Sequence, residues 1–140
     1  MNLFIPLART TFLIPSGSLS DPDRKHLFVL LNDSFLDPVT NLEFILVVSI
    51  TSLKSGIPYD ATCVLKSGEH PFIQHDSYVL YHRAEIRETA QLKRCVEINQ
   101  CIVKEMMNID VFQRICKGLI ESSFTPEKIK NFYRSLVRST

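Results

Sequence analysis

Residues Leu42 to Thr51 read LEFILVVSIT, the most apolar of the strand-like runs in the chain. The run is rich in β-branched side chains and bounded by turn residues, with the loop Asn32 to Asn41 before it and Lys54, Ser55, Gly56 and Pro58 after it. That pattern predicts a strand, and its near-continuous hydrophobicity predicts a central one covered on both faces. A central strand needs partners, and the flanking sequence offers short apolar runs at Thr10 to Ile14, His26 to Leu31 and Ala61 to Leu65, each closed by turn residues. Ser77 to Arg87 alternates. Tyr78, Leu80, His82, Ala84 and Ile86 share one parity, opposite Ser77, Arg83, Glu85 and Arg87, as in a strand with one wet face. A last apolar strand is expected near Cys101 to Val103.

Beyond residue 100 the period changes. Asn108 or Asp110 is placed to cap a short helix running through Lys117, with Val111, Phe112 and Ile115 inward and Gly118 just past its end. Thr125 followed by Pro126 predicts a second helix start, because a threonine cap satisfies free N–H groups and proline in the first turn loses no hydrogen bond. That helix is expected to reach Arg138, with Ile129, Phe132, Leu136 and Val137 as its apolar stripe and Lys128, Lys130, Arg134 and Arg138 on the remaining surface.

A length of 140 residues predicts one domain over 1–140, with a β unit at 10–105 and helices at 108–138. Hydrophobic residues make up 45% and charged residues 22%, which excludes a wholly disordered chain. Sixteen basic against fifteen acidic residues leave a formal charge of +1, so no global field points to a polyanion. Residues 1–70 hold 5 basic and 7 acidic side chains (−2) and residues 71–140 hold 11 and 8 (+3), an asymmetry that permits local nucleic-acid contact. No apolar run approaches the roughly 18 residues of a membrane span, and Arg9 interrupts the apolar N-terminal stretch, so the expectation is a cytoplasmic protein without membrane association. Cys63, Cys95, Cys101 and Cys116 form no CxxC pair, which predicts reduced, mostly buried thiols.

Three groups of residues carry chemical potential. Thr51 and Ser52 stand where the central strand gives out, a position from which a rigid scaffold presents hydroxyls; the same residues also serve simply to satisfy turn backbone groups. Cys63, Glu69, His70, His75 and Asp76 surround Pro71, Phe72 and Ile73, but their spacing matches no established zinc pattern, and no metal or other cofactor is expected. The Gly68 to Asp76 loop instead reads as a segment ordered by Pro71 that buries Phe72 and Ile73 while His70 and His75 make hydrogen bonds, or equally as one that lines a groove beside Thr51. The two C-terminal helices have a connection, Gly118 to Phe124, longer than that of a helix-turn-helix, and their apolar stripes suit packing on the sheet or on a second subunit.

The segment Ser49 to Leu65 (SITSLKSGIPYDATCVL) resembles the β-turn-β segment of the MazF/PemK family of toxin endoribonucleases, in which a strand ends in Thr-Thr or Thr-Ser before a polar G-x-P loop. Upstream, Arg24 to Leu30 (RKHLFVL) is similar to the family's Arg-Pro followed by an apolar strand; downstream, His75 to Val79 with Arg83 and Ala84 is similar to its D-x-V strand. The resemblance covers about residues 10–120. It departs at the opening strand, where Thr10 to Pro15 lacks the family's Gly-Asp-Ile/Val, and at Arg24-Lys25-His26, which leaves open which residue takes the arginine's role.

The resemblance implies a mainly β (α+β) fold, a small half-open antiparallel β-barrel; of the two C-terminal helices expected here, the one within residues 121–138 is an addition that the compact toxins lack. The resemblance also implies a homodimer acting as a metal-independent endoribonuclease on single-stranded RNA and restrained by an antitoxin protein. Such a reaction uses the ribose 2′-OH as nucleophile, so the protein takes one proton, returns another and neutralises charge on the phosphorane. Arg24, His26, Thr51 and Ser52 are the catalytic candidates, with the guanidinium suited to charge and imidazole to proton exchange near neutral pH. Lys25, Lys54, His70, His75 and Arg83 are the substrate-binding candidates. The alternatives are a non-catalytic interaction protein on the same barrel and a DNA-binding protein using the basic C-terminal helix.

Overall fold

The computed structural model describes residues 4–15 and 25–138. Eight strands form one sheet, antiparallel at every pairing: β1 (Thr11–Pro15), β2 (Lys25–Leu30), β3 (Phe35–Leu36), β4 (Glu43–Ser52), β5 (Val64–Leu65), β6 (Ser77–Val79), β7 (Glu85–Glu88) and β8 (Ile102–Lys104). The order is β5-β6-β4-β2-β1-β8, an open path, with β3 and β7 also paired to β4. Three helices, α1 (Thr89–Glu97), α2 (Ile109–Glu121) and α3 (Glu127–Arg138), complete a mixed α+β fold.

The LEFILVVSIT run is the spine of this sheet. Its pairings with β2 (Leu27↔Ile50 to Leu30↔Val47) and β3 lie along one edge, and those with β6 and β7 along the other. Successive strand residues point to opposite faces, so its side chains divide between two cores. Leu46, Val48 and Ile50 join Leu13, Leu27 and Val29 beneath α2 and α3, where Val111, Ile115, Leu119 and Ile129 are buried. Ile45 and Val47 join Phe12 and Leu30 beneath α1, which contributes Leu92. Burial on both faces explains why the run does not alternate.

Helix α1 was not foreseen. Its sequence, TAQLKRCVE, buries only Thr89 and Leu92, and it follows β7 directly with no capping side chain at Glu88. The expected strand Ser77 to Arg87 is broken by a 3-10 turn, Tyr81–Arg83, into β6 and β7. The reason is Tyr81, which is fully buried and donates its hydroxyl hydrogen to the Ile115 carbonyl of α2 at 2.7 Å. Bending the chain there lets one side chain reach the helix layer while both halves keep their pairing with β4.

Asn108 caps α2 as expected, accepting from the N–H groups of Asp110 (2.8 Å) and Val111 (3.3 Å). Gly118, however, lies inside α2 rather than past its end, because the stripe Val111, Ile115, Leu119 continues and the chain leaves the helix only at Ser122. In α3, Ile129 is buried and Phe132 and Tyr133 pack on the core, but Val137 is 58% exposed, so the stripe is narrower than its spacing suggested. Thr125 Oγ1 is buried and caps nothing; the Pro126 carbonyl accepts the first helical N–H groups, from Ile129 and Lys130.

Candidate functional site

Strand β4 ends beside two cavities. The first, a cleft of about 220 Å³, is walled by His26 and Leu27 of β2, Thr51 and Ser52 of β4, Ser77 of β6, and Phe72 to His75 of the loop between β5 and β6. The second, of about 190 Å³, shares Thr51 and Ser52 with the first and is otherwise walled by Lys54, Ile57, Pro58, Tyr59 and Tyr78. The pairing Thr51↔Tyr78 and Ser52↔Ser77 brings β6 to the strand end. By alternation His26, Thr51 and Tyr78 share the α1 face, while Ser52, Ser77 and Leu27 share the other.

The loop carrying His75 is held from several directions. Gly68 N–H donates to the Ile73 carbonyl (2.8 Å) and Ile73 N–H to the His70 carbonyl (2.9 Å), with Gly68 at φ +94 making the turn. Ser67 donates its N–H to Asp76 (3.0 Å) and its hydroxyl to the Gln74 carbonyl (2.9 Å). Arg114 of α2 grips Glu69 through two hydrogen bonds of 2.8 and 3.0 Å and donates to the Val64 carbonyl at 3.0 Å. That bidentate guanidinium holds the Glu69 carboxyl below its ordinary range, outweighing the opposing effect of partial burial. The Asp76 carboxyl is lowered too, first by the Ser67 N–H. A wall built this way presents His75 from a set backbone position.

Of the residues singled out from sequence, His26, Thr51, Ser52 and His75 meet at the first cleft, and Lys54 stands at the second. Arg24 lies outside the described residues, and Lys25 enters only as the first backbone position of β2. His70 and Arg83 are elsewhere. His70 is 2% exposed: Nδ1 accepts the Phe72 N–H at 3.0 Å, which assigns the proton to Nε2, where it faces the Glu105 carbonyl at 2.7 Å and Thr11 Oγ1 at 3.1 Å. It is a structural tie between the loop, β1 and the segment after β8. Arg83 is exposed in the 3-10 turn and lines neither cavity.

The Gly68 to Asp76 loop does wall the first cleft, with Ile73 buried as expected but Phe72 exposed; Ser77 in the first cleft and Tyr59 and Tyr78 in the second were not marked as site residues by the sequence reading. An exposed aromatic beside a turn proline, Tyr59 after Pro58, was the available signal. Among the described residues no group of three or more His, Cys, Asp or Glu side chains could hold a metal ion. The Cys63, Glu69, His70, His75, Asp76 group is split because Glu69, His70 and Asp76 are turned to Arg114, Glu105 and Ser67. Burial pushes the thiols of Cys63 and Cys116 up, Cys116 to about 11, and Cys101 to about 12. None lines the first cleft.

The basic face of α3 is partly engaged, with Arg134 bonded to Glu127 and Asn131, each at 3.2 Å. No helix among the described residues is long and apolar enough to cross a membrane. Compared with known proteins, the chain matches no family model, no curated protein and no solved structure.

Proposed function

We propose that the cleft at the end of β4 cleaves single-stranded RNA without a metal. The observation that carries this reading is that His26, Thr51, Ser52 and His75 all line one cleft, with no carboxylate among the described lining residues. A described lining of imidazoles, hydroxyls and an amide suits a polyanion. One imidazole takes the proton of the ribose 2′-OH as that oxygen attacks the adjacent phosphorus. The P–O5′ bond breaks, and the other imidazole, protonated, gives its proton to the leaving O5′. The products are a 2′,3′-cyclic phosphate and a 5′-hydroxyl. Thr51 and Ser52 donate to the non-bridging oxygens where charge develops. By the resemblance, one of Arg24, Lys25 and His26 takes the role of the family's arginine and neutralises charge on the phosphate.

The all-antiparallel connectivity and the open path of the sheet support the half-open barrel reading and, with it, the MazF/PemK-like role. In that role the protein is a cytoplasmic homodimeric toxin restrained by an antitoxin protein. The test is incubation with a long single-stranded RNA in excess EDTA, followed by mapping of the new ends. Discrete cuts bearing cyclic phosphate, lost in Thr51→Ala and in His75→Ala while circular dichroism is unchanged, are the expected result. Intact RNA across several substrates and protein concentrations refutes it and leaves a non-catalytic binding protein.

A further inference from the structure

The second cavity is joined to the first by Thr51 and Ser52, yet its chemistry differs. Tyr59 and Tyr78 pack with ring centroids 5.4 Å apart at 43°, and Ile57, Pro58 and Lys54 complete the wall, with no carboxylate among the described lining residues. Tyr78 belongs to β6 and is fixed by its place in the sheet, between Thr51 of β4 and Val64 of β5. Tyr59 is 46% exposed although its loop is clamped. The neighbouring Asp60 accepts from the Thr62 N–H at 3.0 Å, and from the Ser122 hydroxyl at the end of α2 at 2.6 Å. Ile57 N–H closes a turn on the Lys54 carbonyl at 3.2 Å, with Gly56 at φ +77. An exposed ring held on a fixed backbone, with an apolar floor and a lysine at the rim, is a surface on which a planar group can stack at little ordering cost.

We infer that this cavity is a nucleobase subsite: a base of single-stranded RNA stacks on Tyr59, backed by Tyr78, while Lys54 contacts a backbone phosphate next to the one held at Thr51 and Ser52. The inference rests on the RNA reading above, and it adds a site that selects an unpaired nucleotide, since a base within a duplex has no free face to offer. Stacking is tolerant of base identity, so the subsite sets where the strand lies and leaves hydrogen-bonded readout to other contacts.

The experiment measures binding of a fluorescein-labelled, uncleavable 2′-O-methyl oligoribonucleotide to the full chain by fluorescence anisotropy at several salt concentrations. Tyr59→Ala is expected to weaken binding about 5- to 150-fold, and Tyr59→Phe to retain wild-type affinity because the ring face is kept. Lys54→Ala is expected to reduce the slope of log affinity against log salt by about 0.7. Tyr59 is on the surface, so unchanged circular dichroism is expected of both tyrosine variants. Wild-type affinity in Tyr59→Ala, equal loss in Tyr59→Ala and Tyr59→Phe, or no binding of the oligonucleotide by the wild type each overturns the inference. Tyr59-dependent binding without any cleavage of ordinary RNA upholds the subsite and sinks the nuclease reading. Cleavage of RNA with affinity indifferent to Tyr59 does the reverse.

Discussion

Replacing Gly118 by alanine separates helix propensity from packing. At an exposed helix interior the change would stabilise the protein by about 1 kcal/mol, since alanine is the better helix former. Here a Cβ on residue 118 would sit 2.2 Å from Tyr81 Oη and 2.8 Å from Tyr81 Cζ, far inside the contact distance. The ring has nowhere to retreat, because Tyr81 is fully buried and its hydroxyl is bonded to the Ile115 carbonyl at 2.7 Å. Overpacking costs about 1 to 3 kcal/mol. Breaking the buried hydrogen bond as the ring shifts adds about 1 to 3. After the propensity gain is subtracted, Gly118→Ala is expected to destabilise by about 1 to 5 kcal/mol, or on the order of 3 to 4 °C in Tm for each kcal/mol. Urea denaturation followed by circular dichroism reads this as a lower midpoint at unchanged slope. In the alanine background Tyr81→Phe removes the 2.2 Å contact and leaves the one at 2.8 Å, so it should recover part of the loss. A Gly118→Ala protein as stable as wild type, or more stable, refutes the packing of Tyr81 against α2 and with it the reason given for the break between β6 and β7.

His70→Ala removes the bonds to Phe72 and Glu105 and opens a cavity, and is expected to cost about 2 to 4 kcal/mol in the same urea assay; a change below about 0.5 kcal/mol would make His70 a surface-like residue. Arg114→Ala is expected to cost about 1 kcal/mol at pH 7, since both partners of the Glu69 pair are partly exposed. The Glu69 carboxyl is depressed in the fold, so its stabilisation is complete above the ordinary value of 4.5 and is lost as pH falls through the folded value. The stability gap between wild type and Arg114→Ala should therefore narrow on acidification below that value; a gap constant down to acid unfolding contradicts the pairing. Cys63 and Cys101 are buried, with their thiols pushed up, and should react with a disulfide reagent at pH 8 only in urea. Immediate reaction of all four cysteines in the native protein would place them wrongly.

Elements that can be read from the chain alone are those whose signals lie within a few neighbouring residues. The spine β4 was legible because a strand buried on both faces is apolar at successive positions, and Phe44 to Val48 show it locally. Asn108 was legible as a cap because a side-chain acceptor two residues before a free N–H is a local event. Thr51 and Ser52 were legible as a strand end carrying hydroxyls. Helix α1 was not, since a helix that buries only Thr89 and Leu92 leaves almost no apolar stripe, and the alternation of Ser77 to Arg87 runs through Tyr81 without a mark.

Tertiary structure decided the rest, because it depends on pairings between residues far apart in the chain. His70 and His75 are the same residue type five positions apart, yet one is sealed against Glu105 and Thr11 and the other opens onto the cleft. Only the register of β2, β4 and β6 brings His26, Thr51 and Ser77 together, and only the grip of Arg114 on Glu69 fixes the loop that adds His75. Residue type set which side chains could do chemistry, and the energetics of closing the loops between strands set which of them meet.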